Sequence, residues 1–217
     1  MRALFLGLAL SLPQPALPCE VALLLAIDVS GSIDAEEYRI QSKGTADALL
    51  HPAVAETLVK GQVALSLMHW SGMGQQAVVL PWTKMRGPSD LQRAAEQIRA
   101  APRAFSGSDT AVGQAIDAAL AQFAQAPPCL RQIIDISGDG PENSGNTARA
   151  ARSRAEAAGV AINAIAIEDV GQSTAITRFY QNWVITNGGF VITSRSLAAY
   201  PEAIRVKLLR ELEKPAS

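Results

Sequence analysis

Asp28-Val29-Ser30-Gly31-Ser32 sets a carboxylate and two hydroxyls at alternate positions, directly after the seven apolar residues Val21 to Ile27. All three are hard oxygen ligands of the kind that Mg2+ or Mn2+ takes. Gly31 lets the backbone between the serines fold closely. Two later segments carry matching chemistry. Ser106-Gly107-Ser108-Asp109-Thr110 puts hydroxyls ahead of a helix beginning Ala111-Val112-Gly113, and Asp139 stands between Gly138 and Gly140 after the apolar run Leu130 to Ile136. Asp28, Ser30, Ser32, Thr110 and Asp139 are the candidate ligands. Each has a plainer rival. Ser30 to Ser32 could be a turn with capping hydroxyls, Asp109 could replace Thr110, and Asp135 could replace Asp139. Asp135 lies within a strand, where an internal hydrogen bond is expected.

The elements that must position these residues follow from periodicity and punctuation. An unbroken apolar run ending in a small polar turn reads as a strand buried on both faces. Asp34 can cap a helix to Leu50, which His51-Pro52 interrupts before a short turn from Val54 to Val59. Gln62 to Trp70 reads as a second strand, and the Ser71 to Gly74 turn leads into a third from Gln76 to Leu80. So short a link predicts an antiparallel edge strand. Pro88-Ser89-Asp90 opens a helix to about Ala101, and Thr110 to Ala124 forms another. Leu130 to Ile136 is the fourth strand, followed by a helix from Asn146 to Ala158. Val160 to Ile167 is the fifth strand, Thr174 to Val184 a helix, Phe190 to Thr193 the last strand, and Leu197 to Glu213 the closing helix. The alternation predicts an α/β fold: a three-layer α/β/α sandwich, doubly wound around a mostly parallel six-stranded sheet. Ligands of such sheets bind at the carboxyl ends of the strands, where Asp28 and Asp139 would converge.

The chain has 217 residues, 48% of them hydrophobic and 18% charged, as in an ordinary globule, and its net charge of −1 offers no basic field for nucleic acid. Met1-Arg2, the apolar run Ala3 to Leu10 and prolines 13, 15 and 18 resemble a secretory signal peptide, assigned to residues 1–18. Residues 19–217 are then a single domain, periplasmic or secreted, without a transmembrane segment after signal removal. Export makes a disulfide between Cys19 and Cys129 plausible. Each cysteine precedes an apolar strand, so parallel neighbouring strands would hold both at the same end of the sheet. Free thiols, or lipidation at Cys19, are the alternatives.

Taken together, Asp28, Ser30, Ser32, Thr110 and Asp139 resemble the motif of the von Willebrand factor A (vWA) domain with its metal-ion-dependent adhesion site. That family places Asp-x-Ser-x-Ser after strand one, Thr in a second loop and Asp after strand four. The spacing from Thr110 to Gly113 fits this pattern better than Asp109 does. The order of elements matches from Glu20 to about Glu213. Ser137-Gly138-Asp139-Gly140-Pro141 and the paired cysteines are similar to those of secreted single-domain bacterial vWA-like proteins. The resemblance implies a bound Mg2+ (or Mn2+) held directly by Ser30 and Ser32, and directly or through water by Thr110 and the two aspartates. It also implies an open coordination position for an acidic side chain of a partner protein, and a last helix able to shift.

The chemistry implied is binding rather than catalysis, so no catalytic residue is assigned. A metal-dependent hydrolase or phosphotransferase using Asp28 would need a second acid two positions on, where Ser30 stands, and a nearby lysine. Neither a nucleophile elbow nor a phosphate-binding glycine loop occurs. A structural domain with a vestigial site is the third reading. His69-Trp70-Ser71 could sit on the rim, although packing is the simpler role. Arg149, Arg152 and Arg154 read as a solvated helix face.

Overall fold

The computed structural model describes residues 19–107, 109–168 and 174–212. Strand β1 (Cys19–Asp28) is central, and every residue from Val21 to Asp28 is buried. Parallel strands β2 (Ala64–Trp70) and β4 (Cys129–Gly138) flank it. Beyond them lie β3 (Gln76–Lys84) on one edge and β5 (Ala161–Ile167) and β6 (Val191–Ser194) on the other, in the order β3-β2-β1-β4-β5-β6. Only β3 is antiparallel to its neighbour. The predicted hairpin and edge strand are therefore present. The edge strand runs four residues past Leu80 and accommodates Pro81, which an edge position tolerates because no ladder donor is required there.

Alternate residues of β1 feed opposite faces, as strand geometry demands. Leu23, Leu25 and Ile27 pack in one core layer beneath helices α1 (Ala35–Leu50), α2 (Pro52–Lys60), α3 (Pro88–Ala100) and α7 (Tyr200–Leu212). Ala22, Leu24 and Ala26 pack in the other, beneath α4 (Val112–Gln122), α5 (Ala148–Ala157) and the segment around Tyr180. The observed architecture is the predicted α/β sandwich.

Boundaries shift where tertiary contacts outweigh local pattern. The expected helix from Thr174 divides into α6 (Ala175–Phe179) and a π-helical turn, Tyr180–Val184. The expected helix start at Thr110 moves to Val112, leaving Thr110 in the loop. Asp34 caps α1 as anticipated, accepting from the amides of Glu36 and Glu37 while Glu37 answers the Asp34 amide. This capping box fixes the exit of the Asp28–Ser32 loop.

Cys19 and Cys129 are directly paired in the β1–β4 register and form a disulfide, with Cα atoms 4.4 Å apart. The bridge spans a sequence separation of 110, a closure that contributes about 4–5 kcal/mol in the chain-entropy model. The expected signal peptide lies outside the described residues, as does Glu213. Among the described residues no helix is long and apolar enough to cross a membrane.

Candidate metal centre

Asp28 closes β1 and Asp139 follows β4. Because β1 and β4 are adjacent and parallel, both carboxylates reach the same carboxyl-end crevice. The chain leaves β1 toward β2 on one side and returns as β4 on the other, so this is the point where strand order reverses.

Four of the five predicted ligands form one connected set. The Ser30 amide donates to Asp28 Oδ1 at 2.8 Å, the Ser30 and Ser32 hydroxyls lie 3.3 Å apart, and Ser32 Oγ donates to Asp139 Oδ1 at 2.8 Å. Asp28 and Ser30 are fully buried, Asp139 is half-buried and Ser32 is exposed. The set thus rises from a dry floor to an open rim. Thr110, the fifth, is tied through its backbone to the loop that carries Asp139. Its amide donates to Asn143 Oδ1 at 2.8 Å, and the Asn143 amide donates back to the Thr110 carbonyl at 3.0 Å. These reciprocal bonds zip the Thr110 loop to the loop that carries Asp139.

Further residues hold this arrangement without carrying a motif. Arg103 donates to the carbonyls of Val29 and Ser30, spending its guanidinium on the backbone of the first loop. Ser71 donates to the Asp109 carbonyl and accepts the Ala111 amide at its own carbonyl, tying the β2 exit to the second loop. A Cβ at Gly113 would collide with the Asn146 carbonyl, so the first turn of α4 presses directly on the Asp139 loop. Arg103 and Asn143 had no sequence signal, since each acts by hydrogen bonds across long separations. Gly113 was visible through its spacing from Thr110.

The electrostatics at Asp28 are set by burial and by a second carboxylate. Burial, and then repulsion from Asp139, push the Asp28 carboxyl up to about 7, against hydrogen bonds from Ser30 and the Asp139 backbone that favour the anion. Asp28 Oδ2 is buried without a hydrogen-bond partner, a costly state for a carboxylate oxygen. Among the described residues no group of three or more His, Cys, Asp or Glu side chains is placed to hold a metal. The candidate set instead has two carboxylates with hydroxyls between them. That donor chemistry fits a small hard divalent cation completed by water, better than it fits a softer ion caged by protein.

Of the expectations about neighbours, the packing role of His69 holds and the solvated arginine face changes. His69 is buried edge-on against the Tyr38 ring, 5.4 Å between centroids, and burial lowers its pKa to about 4. It packs as a neutral ring and takes no rim role. Trp70 is fully buried and donates to the Ala26 carbonyl. The three arginines of α5 are engaged rather than merely solvated: Arg154 grips Asp117 on α4, Arg152 donates to the Asn182 carbonyl, and Arg149 lies over the Trp183 ring. Asp135 is not part of the crevice. It pairs with the buried Lys207 of α7 at 2.6 Å, the internal partner expected of a strand aspartate.

Solved structures share this architecture. Proximal thread matrix protein 1 from the mussel byssus, with a zinc-occupied MIDAS motif, superposes with a TM-score of 0.67 at 18% identity, covering 90% of this chain and 48% of that one. The pilus adhesin SpaC from Lactobacillus rhamnosus GG aligns at 0.66 and 14% identity over 92% of this chain and 30% of the adhesin. A von Willebrand factor type A protein from Catenulispora acidiphila aligns at 0.64 and 18% identity, over 90% and 43%. The chain therefore spans about half the length of the byssus protein or less of these neighbours, and the likeness establishes a vWA-like fold. No curated protein matches it. In sequence, the model of the family described as protein of unknown function DUF1194 matches residues 18–216, and the chain belongs to that family.

Proposed function

We propose that the protein is an exported, metal-dependent binding module that grips an acidic group of a partner protein through a divalent cation held by Asp28, Ser30, Ser32, Thr110 and Asp139. The observation that carries this reading is the buried, unpartnered Asp28 Oδ2 on the floor of a hydroxyl-lined crevice that opens at Ser32. The ion, Mg2+ or Mn2+, would supply the positive charge that draws in the partner's carboxylate. Asp28 and Asp139 provide the charge that retains it, and Ser30 and Ser32 present oxygens from one rigid loop. Arg103 and the capping box at Asp34 keep that loop from rearranging.

Two features favour binding over catalysis. Five cavities of between 390 and 660 Å³ are lined by residues other than the five ligands. A small-molecule substrate is normally engulfed, whereas this crevice presents its ion at a surface. Ser30 also occupies the place where an Asp28 nucleophile would need its acid, and Lys207 is committed to Asp135 and Glu211. The zinc-occupied motif of the byssus protein and the adhesin nature of SpaC support the same reading. The disulfide supports an oxidising compartment, periplasmic or extracellular.

Melting the domain, residues 19–217, in EDTA, Mg2+ and Mn2+ tests the metal. A rise in Tm with metal, lost in Asp28→Ala and Asp139→Ala, is expected, and an indifferent wild type refutes the site. Pull-down of acidic protein ligands should then require metal, and phosphatase activity should be absent with it.

A further inference from the structure

Tyr180 lies 41 positions after Asp139 in the sequence and belongs to none of the motif loops. Its side chain is nevertheless fully buried, and its hydroxyl has no hydrogen-bond partner. A Cβ built on Gly138 would overlap the Tyr180 hydroxyl and stand 3.0 Å from Asp28 Oδ2. The two oxygens therefore flank a single point, in the space that the absent side chain of Gly138 leaves free. Each is buried and each lacks a partner, one an acceptor and the other a donor. A tyrosine hydroxyl is protonated at neutral pH and able to donate.

Local structure points the same way. Tyr180 begins the π-helical turn that interrupts the helix after Phe179, and the Ile185 amide donates five residues back to the Tyr180 carbonyl at 3.1 Å. Such turns are rare and concentrate at functional sites, because the extra residue re-aims a side chain. Phe179 packs edge-on to the Tyr180 ring at 5.5 Å, which limits its swing.

Building on the proposed metal centre, we propose that Tyr180 is a positioning residue of that centre. With a divalent cation bound, its hydroxyl donates to Asp28 Oδ2 through one water and so orients the buried carboxylate toward the ion. Gly138 is the companion requirement, since any side chain there would fill the contact space. A carboxylate that serves a metal is itself usually oriented by an outer hydrogen bond, whose loss costs about 10–100-fold in metal affinity.

The test compares wild type and Tyr180→Phe by thermal melting across a Mg2+ titration. In EDTA the variant should melt at or above the wild type, because an unsatisfied buried hydroxyl has been removed without loss of volume. In Mg2+ it should need about tenfold more metal for half of the full Tm gain. A tyrosine that merely packs would shift both conditions alike, so an unchanged Mg2+ midpoint overturns the proposal. A wild type that ignores Mg2+ overturns the metal centre itself, and this role with it. If Tyr180→Phe fails to fold, the tyrosine-band ultraviolet difference spectrum of the wild type on adding Mg2+ decides the matter. A perturbation is expected, and a flat spectrum overturns the assignment.

Discussion

Two pairs of acids sit against the central strands, and the molecule treats them in opposite ways. Asp135 of β4 and Glu211 of α7 share Lys207, whose Nζ lies 2.6 Å from each, with Asn163 donating to Glu211 at 3.0 Å. Asp28 and Asp139 also repel one another, yet the described contacts of Asp28 are amides, hydroxyls and the other acid. The first pair carries its own cation, on a helix that it thereby fastens to the sheet. The second is arranged as though its cation comes from outside. Buried charge is tolerated when an opposite charge is near, so a positive group enclosed in one place, and none among the described contacts of Asp28, separates a structural clamp from the proposed binding site.

The sharpest way to break this contrast is to remove the internal cation. Lys207→Met leaves two buried acids facing each other and should cost about 3–5 kcal/mol in urea unfolding, with the loss unaffected by Mg2+. A loss below about 1 kcal/mol would mean that α7 is held by its apolar contacts alone.

The pH dependence comes next. Asp28, with a folded pKa of about 7 against 3.8 unfolded, keeps its proton longer when folded. Its contribution is fully present below the unfolded value and is lost as pH rises through about 7, up to about 4 kcal/mol at full ionisation. In EDTA, stability should therefore fall between about pH 4 and about pH 7, and Asp28→Asn should flatten that slope. Mg2+ should give a larger Tm gain at pH 8 than at pH 5, because ligand carboxylates must be deprotonated. Burial and repulsion from Glu211 raise Asp135 in the same direction, so Asp135→Asn should flatten a second part of the slope, with or without Mg2+. Identical slopes in EDTA and in Mg2+ would erase the distinction between the pairs.

Smaller effects sharpen the picture of the crevice. Gly138→Ala forces a methyl against Tyr180 and Asp28 and should cost about 1–3 kcal/mol by chemical denaturation, as overpacking does. Ser32→Ala removes the exposed hydroxyl that reaches Asp139; it should change metal-free stability by less than about 1 kcal/mol while weakening the Mg2+ response. A Ser32→Ala protein that responds to Mg2+ like the wild type would remove Ser32 from the ligand set.

Strand periodicity, the proline and glycine punctuation and three short loops were enough to lay out the sandwich and to nominate five ligands. The same local reading left Asp135 with an unnamed internal partner, because Lys207 lies 72 positions away on a helix whose pattern only says that one face is buried. It assigned the arginines of α5 to solvent, because their partners Asp117, Asn182 and Trp183 belong to other elements. It extended one regular helix through Tyr180, because a single inserted residue does not alter apolar periodicity enough to reveal a π-helical turn.

The division has a physical origin. Backbone preference and burial periodicity act over a few residues, so the amino-acid sequence by itself determined which segments are strands and helices, their order, and thus the end of the sheet at which Asp28 and Asp139 emerge. Charge compensation acts through space. Only the tertiary structure decided that Lys207 closes one acid pair, that Arg103 is spent on the backbone beside the other, and that the hydroxyl of Tyr180 stands beside Asp28 in the space Gly138 leaves open.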